Sequence, residues 1–464
     1  MVVYGTARGF AQAGHEVFVI TCAPFEGVKS LAGKWETMHL MATDRRLDGH
    51  EITDPVIGGY PVQHPVAIRV FRFTPLNLFT IFNIGKYPAL LRVLWHVIDM
   101  FNPHTYLVVK RILEKEKPDL IITRNLKGLG YTIPMAIRRY TLPRYQSEAR
   151  YGAQHATRYT PKWFHGLHDL GALHPRGFME WGKEDAIRAP MILIKLYREI
   201  TKRLFGSPDA IVAPSQFVLD EYDRAEFFSK SKKVVVSNPV VDVPSPVLSD
   251  ILSRGERNHN LIPSPKAGVG KPAQFPSPRG RGEGEGARFL YIGQLEPYKG
   301  IRVLIRAWKE FIMDHSDARL EIAGNGSMEE EVRRASGHVR GIQYHGFVPH
   351  DELYFLMQGA RATILPTLAY ETFGLSIIDS FAAGVPVIVS RIGATPEIVE
   401  DGVNGYLVAP ADAHALATAM ASMMQNALWN TMRVNAKKSA ERYALGTYYV
   451  ELYQMYTGLT VRSG

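Results

Sequence analysis

The residues best suited to chemistry lie at positions 370–379, in the sequence YETFGLSIID. This segment follows an apolar run and opens a helical pattern, so the free N–H groups at the helix start predict a phosphate site. Those groups belong to Phe373, Gly374 and Leu375. Glu371 and Asp379 would lie about 12 Å apart along a helix axis, at about 1.5 Å per residue. The two acids could therefore hold hydroxyl groups at opposite ends of a phosphorylated ligand.

A purely structural interpretation of the same segment stays open. Thr372 is a residue type that caps helix N-termini. Asp379 is equally consistent with an acid on a solvated helix face. Residue types and spacing do not decide between a ligand site and an ordinary capped helix.

The second group of candidate ligand-binding residues is the segment 293–300, which contains Lys299. The sequence GQLEPYKG at 293–300, which includes Gln294, closes another apolar run and places Lys299 just before the next helix. A lysine in that position is a point charge suited to a diphosphate. The alternative is an ordinary surface residue, which is the more common role of a single lysine.

Short apolar runs alternate with helical patterns after residue 286, which is typical of a parallel sheet covered on both faces. The runs are 288–293, 318–324, 341–346, 361–366, 385–390 and 406–410, and helices are predicted near 301–308, from 328, at 351–358 and from 373. We therefore predict a Rossmann-like α/β domain over 287–440. A carboxyl-terminal helix over 441–464 is expected to pack back toward the first domain.

The first half of the chain shows a similar alternation. Its predicted strands are 15–21, 119–124, 164–169 and 210–215. We predict a second Rossmann-like domain over 1–243. Two such domains would bind a ligand in the cleft between them, at the carboxyl ends of the strands.

Two segments do not fit this alternation. Residues 255–286 contain seven Gly and five Pro, a composition typical of disorder, and we predict a linker or insertion over 244–286. Residues 144–162 contain no Leu, Ile, Val, Met, Phe or Trp. Because such a segment cannot bury enough apolar surface to order itself, we predict a surface insertion there.

Composition and charge exclude several classes of protein. The chain has 464 residues and a net charge of +9. The two segments above carry more than half of that charge, so the predicted domains are only mildly basic. A mildly basic fold gives little support to nucleic-acid binding. Cys22 is the only cysteine, which excludes an internal disulfide and favours a reducing, cytoplasmic location. No apolar run reaches the roughly 18–20 residues of a membrane helix.

Two stretches, 88–100 and 190–205, are amphipathic, and the second is basic. Its basic residues are Lys195, Arg198, Lys202 and Arg203. Such a helix could lie on the inner membrane face as a peripheral contact. Packing of both helices on the first sheet is the alternative that we favour.

Together these motifs resemble family 4 glycosyltransferases, the glycosyl transferases group 1 of the two-domain GT-B fold. The family's Gly-Arg-Leu loop with a following Lys-Gly is matched by 293–295 and 299–300, and its Glu-x-Phe-Gly-x(4)-Glu pattern by 371–374 with Asp379. Smaller matches lie at Gly393, 396–397, 401–405, Asn238 with Asp242, 125–128 and 168–169.

The resemblance implies transfer of a hexose-type sugar from a nucleotide-diphosphate sugar to a glycan, lipid-linked or other acceptor, with retention of configuration. It implies that Glu371 contacts sugar hydroxyls, that His168 faces the reacting sugar and that Lys299 stabilises the departing diphosphate. The implied donor-binding residues are Gln294, Lys299, Glu371, Thr372, Phe373, Gly374, Leu375 and Asp379, with Asp379 on the ribose. No metal or other cofactor is implied. Without the resemblance, His168 would be interpreted as a hydrogen-bonded histidine in a buried loop.

Three features depart from the family pattern. Gln294 stands where the family has Arg, and losing one preorganised donor can lower a rate by a factor on the order of 10²–10³. Asp379 replaces Glu and is one methylene shorter. The expected first strand of the amino-terminal domain and its Gly-rich loop are missing from the sequence.

These departures keep other functions open. A truncated or catalytically impaired glycosyltransferase homologue that binds nucleotide or a partner is the first alternative. A sugar-nucleotide epimerase on the same fold is the second, although the spaced acids at 371 and 379 count against it. Nucleic-acid binding is a distant further alternative, and it predicts a steep dependence of association on salt.

Overall fold

The structure, a computed structural model, describes residues 6–7, 10–11, 15–22, 36–41, 67–73, 75, 77–78, 87–141, 161–240 and 286–457. These residues form two compact units. The amino-terminal unit extends to Val236, except for Glu180–Gly182, which group with the carboxyl-terminal unit from Ser237 onward. Most of the segments predicted as linker (244–286) and insertion (144–162) lie outside the described residues, as does Asp242.

The described part of the amino-terminal unit contains a three-stranded and a four-stranded sheet. Its elements are β1 (Val17–Cys22), β2 (Glu36–Met41), β3 (Ala67–Phe73), α1 (Ala89–Met100), α2 (Pro103–Glu116), β4 (Leu120–Arg124), α3 (Ile133–Thr141), β5 (Lys162–Gly166), α4 (Asp185–Arg188), α5 (Ile192–Phe205), β6 (Ala210–Ala213), α6 (Gln216–Arg224) and β7 (Lys232–Val235).

The three-stranded sheet has the order β1-β3-β2 and is not purely parallel. Strand β1 pairs with β3 in parallel, whereas β2 pairs with β3 antiparallel. The prediction of a purely parallel first sheet is therefore wrong in this part. The antiparallel strand lies at the edge of the sheet, where mixed α/β sheets commonly carry one.

The four-stranded sheet is parallel, with the order β4-β5-β6-β7. It confirms the strands predicted near 119–124, 164–169 and 210–215, with one correction at each end of β5. The strand begins at Lys162, which was assigned to the insertion, because its N–H donates to Asp119 O over 2.9 Å. The strand ends at Gly166, so His168 lies in the following loop.

The carboxyl-terminal unit is a six-stranded parallel sheet, and all the strands predicted for it are present within a few residues. Its elements are β8 (Arg288–Ile292), α7 (Ile301–Asp314), β9 (Arg319–Ala323), α8 (Glu329–His338), β10 (Ile342–Gly346), α9 (His350–Met357), β11 (Ala362–Leu365), α10 (Leu375–Ala382), β12 (Val387–Ser390), α11 (Thr395–Ile398), β13 (Gly405–Val408), α12 (Ala413–Met423), α13 (Asn426–Ala440) and α14 (Leu445–Thr457). The strand order is β10-β9-β8-β11-β12-β13, the order of a doubly wound Rossmann sheet.

Helix α7 shows how the apolar pattern builds this core. Its Ile301, Leu304 and Trp308 are fully buried, as the 3.6-residue periodicity predicts. The Trp308 ring lies 5.2 Å from that of Phe311, and its indole N–H donates to Arg340 O over 2.9 Å. The one polar atom of this large side chain is therefore satisfied, which the burial of an indole requires.

Helix α14 follows the sheet and belongs to the carboxyl-terminal unit. It covers most of the segment predicted as a final helix over 441–464, while 458–464 lie outside the described residues. Its Leu452 is fully buried. The expectation that this helix packs toward the amino-terminal domain stays a prediction.

Candidate functional site

Two loops carry the predicted lysine and glutamate to the same edge of the carboxyl-terminal sheet. The strand order reverses between β8 and β11, and doubly wound sheets bind ligands at such a point, outside the carboxyl ends of the strands. Lys299 lies in the loop after β8, and Glu371 lies in the loop after β11. The topology therefore brings together two residues that are 72 positions apart in sequence.

Lys299 and Glu371 form an ion pair. The lysine Nζ donates to Glu371 Oε1 over 2.7 Å, and each side chain is about a quarter exposed. An ammonium suits a phosphate oxygen, whereas a carboxylate accepts hydrogen bonds from hydroxyl groups. Because the two groups touch, they would contact neighbouring parts of one ligand that carries both functions.

Gly300 permits the close approach of these two loops. Its φ is +76°, and a Cβ added there would lie 1.8 Å from Pro366 O. Next to it, Tyr298 O accepts hydrogen bonds from the N–H groups of Leu368 and Ala369, over 2.8 and 3.0 Å. The glycine is required both by its left-handed backbone and by the carbonyl beside it.

The loop after β12 fixes the backbone of Glu371. Ala394 N donates to Glu371 O over 2.8 Å. Gly393 has a φ of +61°, and a Cβ there would lie 2.5 Å from the same oxygen. Gly393, which the resemblance also singled out, thus allows a third loop to pack against the glutamate.

Helix α10 begins at Leu375, two residues later than predicted. Its N-cap is Gly374, with a φ of +107°. Gly374 and not Thr372 is therefore the N-cap residue of this helix. The N–H groups of Phe373, Gly374 and Leu375 have no hydrogen-bond acceptor within the described ranges, so they are available to an anion.

The later helix start also changes the geometry of Asp379. This residue is the fifth of α10, so only about 6 Å of helix rise separates it from Leu375. The expected helical separation of about 12 Å from Glu371 is wrong, because residues 371–374 are not helical. Asp379 does lie in the second turn of the helix that starts at the candidate phosphate site.

Gln294 lies exposed in the loop after β8. Its Oε1 accepts a hydrogen bond from the Tyr298 hydroxyl over 3.1 Å. The contact occupies the amide oxygen and leaves the amide N–H₂ as the donor end of the side chain. Sequence reasoning missed Tyr298, for which the only signal was its position beside Lys299.

His168 belongs to the amino-terminal unit, in the loop after β5. Its Nε2 lies 3.4 Å from a guanidinium nitrogen of Arg124. Burial, and then the Arg124 charge, lower the pKa of His168 to about 4, so its imidazole is neutral at physiological pH. Sequence reasoning missed Arg124, which ends β4 immediately before the segment 125–128 that carried part of the resemblance.

The loops after β4 and β5 line a small, partly open cavity in the amino-terminal unit. Among its lining residues are His168, Lys127 and Asp169. Burial raises the pKa of Asp169, although the Gly171 N–H and the Lys127 charge oppose the shift. Burial also lowers the pKa of Lys127, against the attraction of Asp169 and Asp99. The cavity is therefore lined by ionisable side chains whose charged forms are disfavoured by burial.

The described residues contain no group of three or more His, Cys, Asp or Glu side chains placed to hold a metal ion. Within the same residues, none of the helices combines the length and the apolar character needed to cross a membrane. The expectation that no metal or cofactor is used stays a prediction.

Comparison with known proteins finds similarities that lie mainly in the carboxyl-terminal unit. Residues 286–426 match the family model described as glycosyl transferases group 1. The glycogen synthase of Mycobacterium tuberculosis is 36% identical over 143 residues, which are 30% of this chain and 34% of that protein. The phosphatidyl-myo-inositol mannosyltransferase of Mycobacterium leprae is 32% identical over 158 residues, 34% of this chain and 42% of that protein.

These matches span roughly a third to two fifths of the length of the curated relatives. The fold likeness extends further. The sucrose-phosphate synthase of Thermosynechococcus elongatus superposes with a TM-score of 0.61 at 17% identity, over 98% of this chain and 92% of that one. The predicted GT-B fold is confirmed, and residues 286–426 are similar to the glycosyl transferases group 1 family.

Proposed function

We propose that this protein transfers a hexose-type sugar from a nucleotide-diphosphate sugar to an acceptor, with retention of anomeric configuration. One observation carries the proposal: the Lys299–Glu371 pair lies at the reversal of strand order, in the same loop system as three N–H groups without acceptors. A cation, a hydroxyl-binding acid and an anion-binding helix start are what a sugar diphosphate requires.

Each group would take a defined part of the donor. The Glu371 carboxylate accepts hydrogen bonds from sugar hydroxyls, and the Lys299 ammonium neutralises the diphosphate. The N–H groups at the start of α10 hold the distal phosphate, and Thr372 is a donor-binding residue of the same loop. Asp379 holds the ribose hydroxyls. Gln294 donates from its amide nitrogen, with its oxygen already bonded to Tyr298.

In the reaction, the bond between the anomeric carbon and the phosphate oxygen breaks, and the nucleoside diphosphate leaves with the electron pair. The acceptor oxygen forms the new bond on the same face of the sugar, and its proton passes to a phosphate oxygen of the departing diphosphate. Lys299 and the N–H groups stabilise the charge that develops on the leaving phosphate. We propose that these groups suffice without a bound metal or other cofactor.

The acceptor is proposed to be a glycan or a lipid-linked molecule. The names of the two relatives above include a polysaccharide synthase and a phosphatidyl-inositol mannosyltransferase, which supports both classes. His168, in the loop after β5, is proposed to face the reacting sugar.

We also propose a peripheral contact with an anionic membrane surface. The first turn of α5 exposes Ile192 and Leu193, with exposed fractions of 81% and 72%, and Leu90 of α1 is 79% exposed. Lys195 and Arg203 on α5 are exposed as well. Exposed apolar side chains next to basic ones suit the interface of an anionic bilayer.

Binding of a nucleotide tests the donor site first. We would measure thermal unfolding with UDP, GDP and ADP, and with their sugar conjugates. A ligand at 100 times its Kd should add about 2.7 kcal/mol to stability. Lys299→Met should abolish the shift, whereas Lys309→Met, an exposed lysine on α7, should leave it unchanged.

The outcomes separate the candidate functions. A shift with one base, followed by sugar transfer to a glycan or lipid acceptor, supports the proposal, and the anomeric configuration of the product tests retention. A shift without any transfer would favour the impaired homologue, which the neutral side chain of Gln294 motivates. An epimer formed from the donor alone would favour the epimerase. No shift with any nucleotide would overturn the donor site.

A further inference from the structure

The register of the parallel sheet places Arg124 beside Gly166, and Gly166 lies two residues before His168. Arg124 ends β4 and Gly166 ends β5, and the two residues are register partners in the parallel sheet. A Cβ added at Gly166 would lie 3.1 Å from Arg124 Cγ and 3.5 Å from His168 Nε2. The first distance is tighter than ordinary van der Waals contact, so the glycine leaves the space that the Arg124 side chain crosses.

The contact between Arg124 and His168 has only one chemical interpretation. A guanidinium nitrogen of Arg124 lies 3.4 Å from His168 Nε2. All guanidinium N–H groups are donors and none is an acceptor. His168 Nε2 must therefore accept, which requires that this nitrogen carry no proton.

We propose that Arg124 is a positioning residue that holds His168 as a neutral imidazole with its proton on Nδ1. The proposal rests on the proposed function, in which His168 faces the reacting sugar. A ring with two different nitrogens has two neutral forms, and each presents a different donor to the substrate. Arg124 selects one of them before the substrate arrives.

The surrounding charges are consistent with this role. Burial and the Arg124 charge both disfavour the protonated ring, so the pKa of His168 falls to about 4. His165, whose Nδ1 lies 2.8 Å from Thr123 Oγ1, is the neighbouring histidine, and burial lowers its pKa to about 3. Lys127 and Asp169 line the same cavity. At neutral pH both rings are uncharged. What Arg124 determines is therefore which nitrogen of the His168 ring carries the proton, not whether the ring is charged.

Nitrogen NMR of the histidine rings tests the proposal directly. We would label the full chain with ¹⁵N-histidine and assign the ring of His168 by its loss in His168→Gln. In the unsubstituted protein, Nδ1 should be the protonated nitrogen. Arg124→Met should convert this single form into a mixture or into the Nε2–H form. Arg139→Met, which removes an exposed arginine of α3, should change nothing.

A second variant covers the case in which Arg124→Met does not fold. Gly166→Ala leaves every charge in place but requires the Arg124 side chain to move by a few tenths of an ångström. Because the Arg124–His168 contact is already 3.4 Å long, this variant should lower the fraction of the Nδ1–H form. Arg124→Lys keeps a donor and a charge, so it should restore the Nδ1–H form at least in part.

A proton found on Nε2 in the unsubstituted protein would overturn the proposal, and so would an unchanged tautomer in both Arg124→Met and Gly166→Ala. The NMR result does not depend on turnover, so it stands or fails apart from the proposed reaction. If the chain does transfer sugar, the acid limb of the pH profile of kcat/KM should move to higher pH in Arg124→Met.

Discussion

Replacement of Glu371 by Gln should have opposite effects on nucleotide binding and on sugar transfer. Lys299 is bonded to Glu371 in the structure, so a nucleoside diphosphate must share the lysine with a carboxylate of the same sign as its own. Glu371→Gln keeps the size of the side chain and an oxygen for the lysine, but it removes that negative charge. The variant should bind nucleoside diphosphate more tightly and transfer sugar more slowly.

The size of the effect follows from the geometry. The lysine Nζ lies 2.7 Å from Glu371 Oε1, and a phosphate oxygen bonded to the other side of Nζ would lie roughly 5 Å from the carboxylate. With an effective dielectric of about 40 for this partly exposed pair, two unit charges at that distance repel by about 1.7 kcal/mol. That energy corresponds to roughly a 15- to 20-fold lower Kd for the variant.

Titration calorimetry with the diphosphate that gives the thermal shift would measure this Kd. Glu310→Gln is the matched control, because Glu310 is exposed on α7 and bonded to His414 on α12 rather than to Lys299. It should leave the Kd unchanged. Initial rates with the sugar conjugate, measured on the same preparations, give the second half of the prediction.

Weaker diphosphate binding by Glu371→Gln would refute this reasoning. That result would mean that the carboxylate acts mainly by holding Lys299 in place, and that its repulsion of the phosphate is negligible. Equal binding by both proteins would mean that solvent screens the charges completely, and Glu371 would then discriminate only through the sugar.

Three further predictions follow from the described geometry. Gly300→Ala must displace the loop that carries Lys299, and a misplacement of about 1 Å can lower kcat/KM on the order of 100-fold. The control is Gly337→Ala, at an open position on α8. It should leave kcat/KM unchanged and keep or slightly raise the stability of the protein. The pKa of His165 falls from 6.5 to about 3 on folding, so the unfolded chain takes up this proton first, and stability should fall by up to about 1.4 kcal/mol per pH unit as the pH drops below 6.5. In urea unfolding at several pH values, His165→Gln should make the slope smaller by the contribution of His165, while the contribution of His168, whose pKa also falls, should remain. Ile192→Glu should weaken co-sedimentation with vesicles containing anionic lipid, whereas Val434→Glu, exposed on α13 of the other unit, should not.

The carboxyl-terminal unit could be predicted almost completely from the sequence. Most of its strands are buried on both faces and are therefore continuous apolar runs that need no further context. An exception is the edge strand β10 (IQYHG), in which only Ile342 is buried. The start of α10 was misplaced by two residues because Gly374 adopts a left-handed conformation, which the apolar periodicity does not reveal. The same error produced the wrong spacing between Glu371 and Asp379 and the wrong position for the N-cap residue.

The amino-terminal unit was less accessible to sequence reasoning. Strands β2, β3 and β7 were not predicted, and β2 (ETMHLM) and β7 (KKVV) each mix polar with apolar residues. Such strands owe their conformation to their partners in the sheet rather than to their own residue types. Arg124 was missed for a related reason, since its contact with His168 depends on the register between β4 and β5.

The contact between Lys299 and Glu371 also bears on how the enzyme would distinguish its donor from its product. A nucleoside diphosphate must share Lys299 with Glu371, which weakens the hydrogen bond of the partly buried carboxylate and brings a second negative charge near it, so its binding is opposed. A complete nucleotide sugar provides the phosphate for the lysine and, in addition, hydroxyl groups for the carboxylate. Once the sugar has been transferred, the diphosphate again competes with Glu371 for Lys299 without those hydroxyl groups, and this favours its release. The same contact would therefore favour binding of the donor and departure of the product.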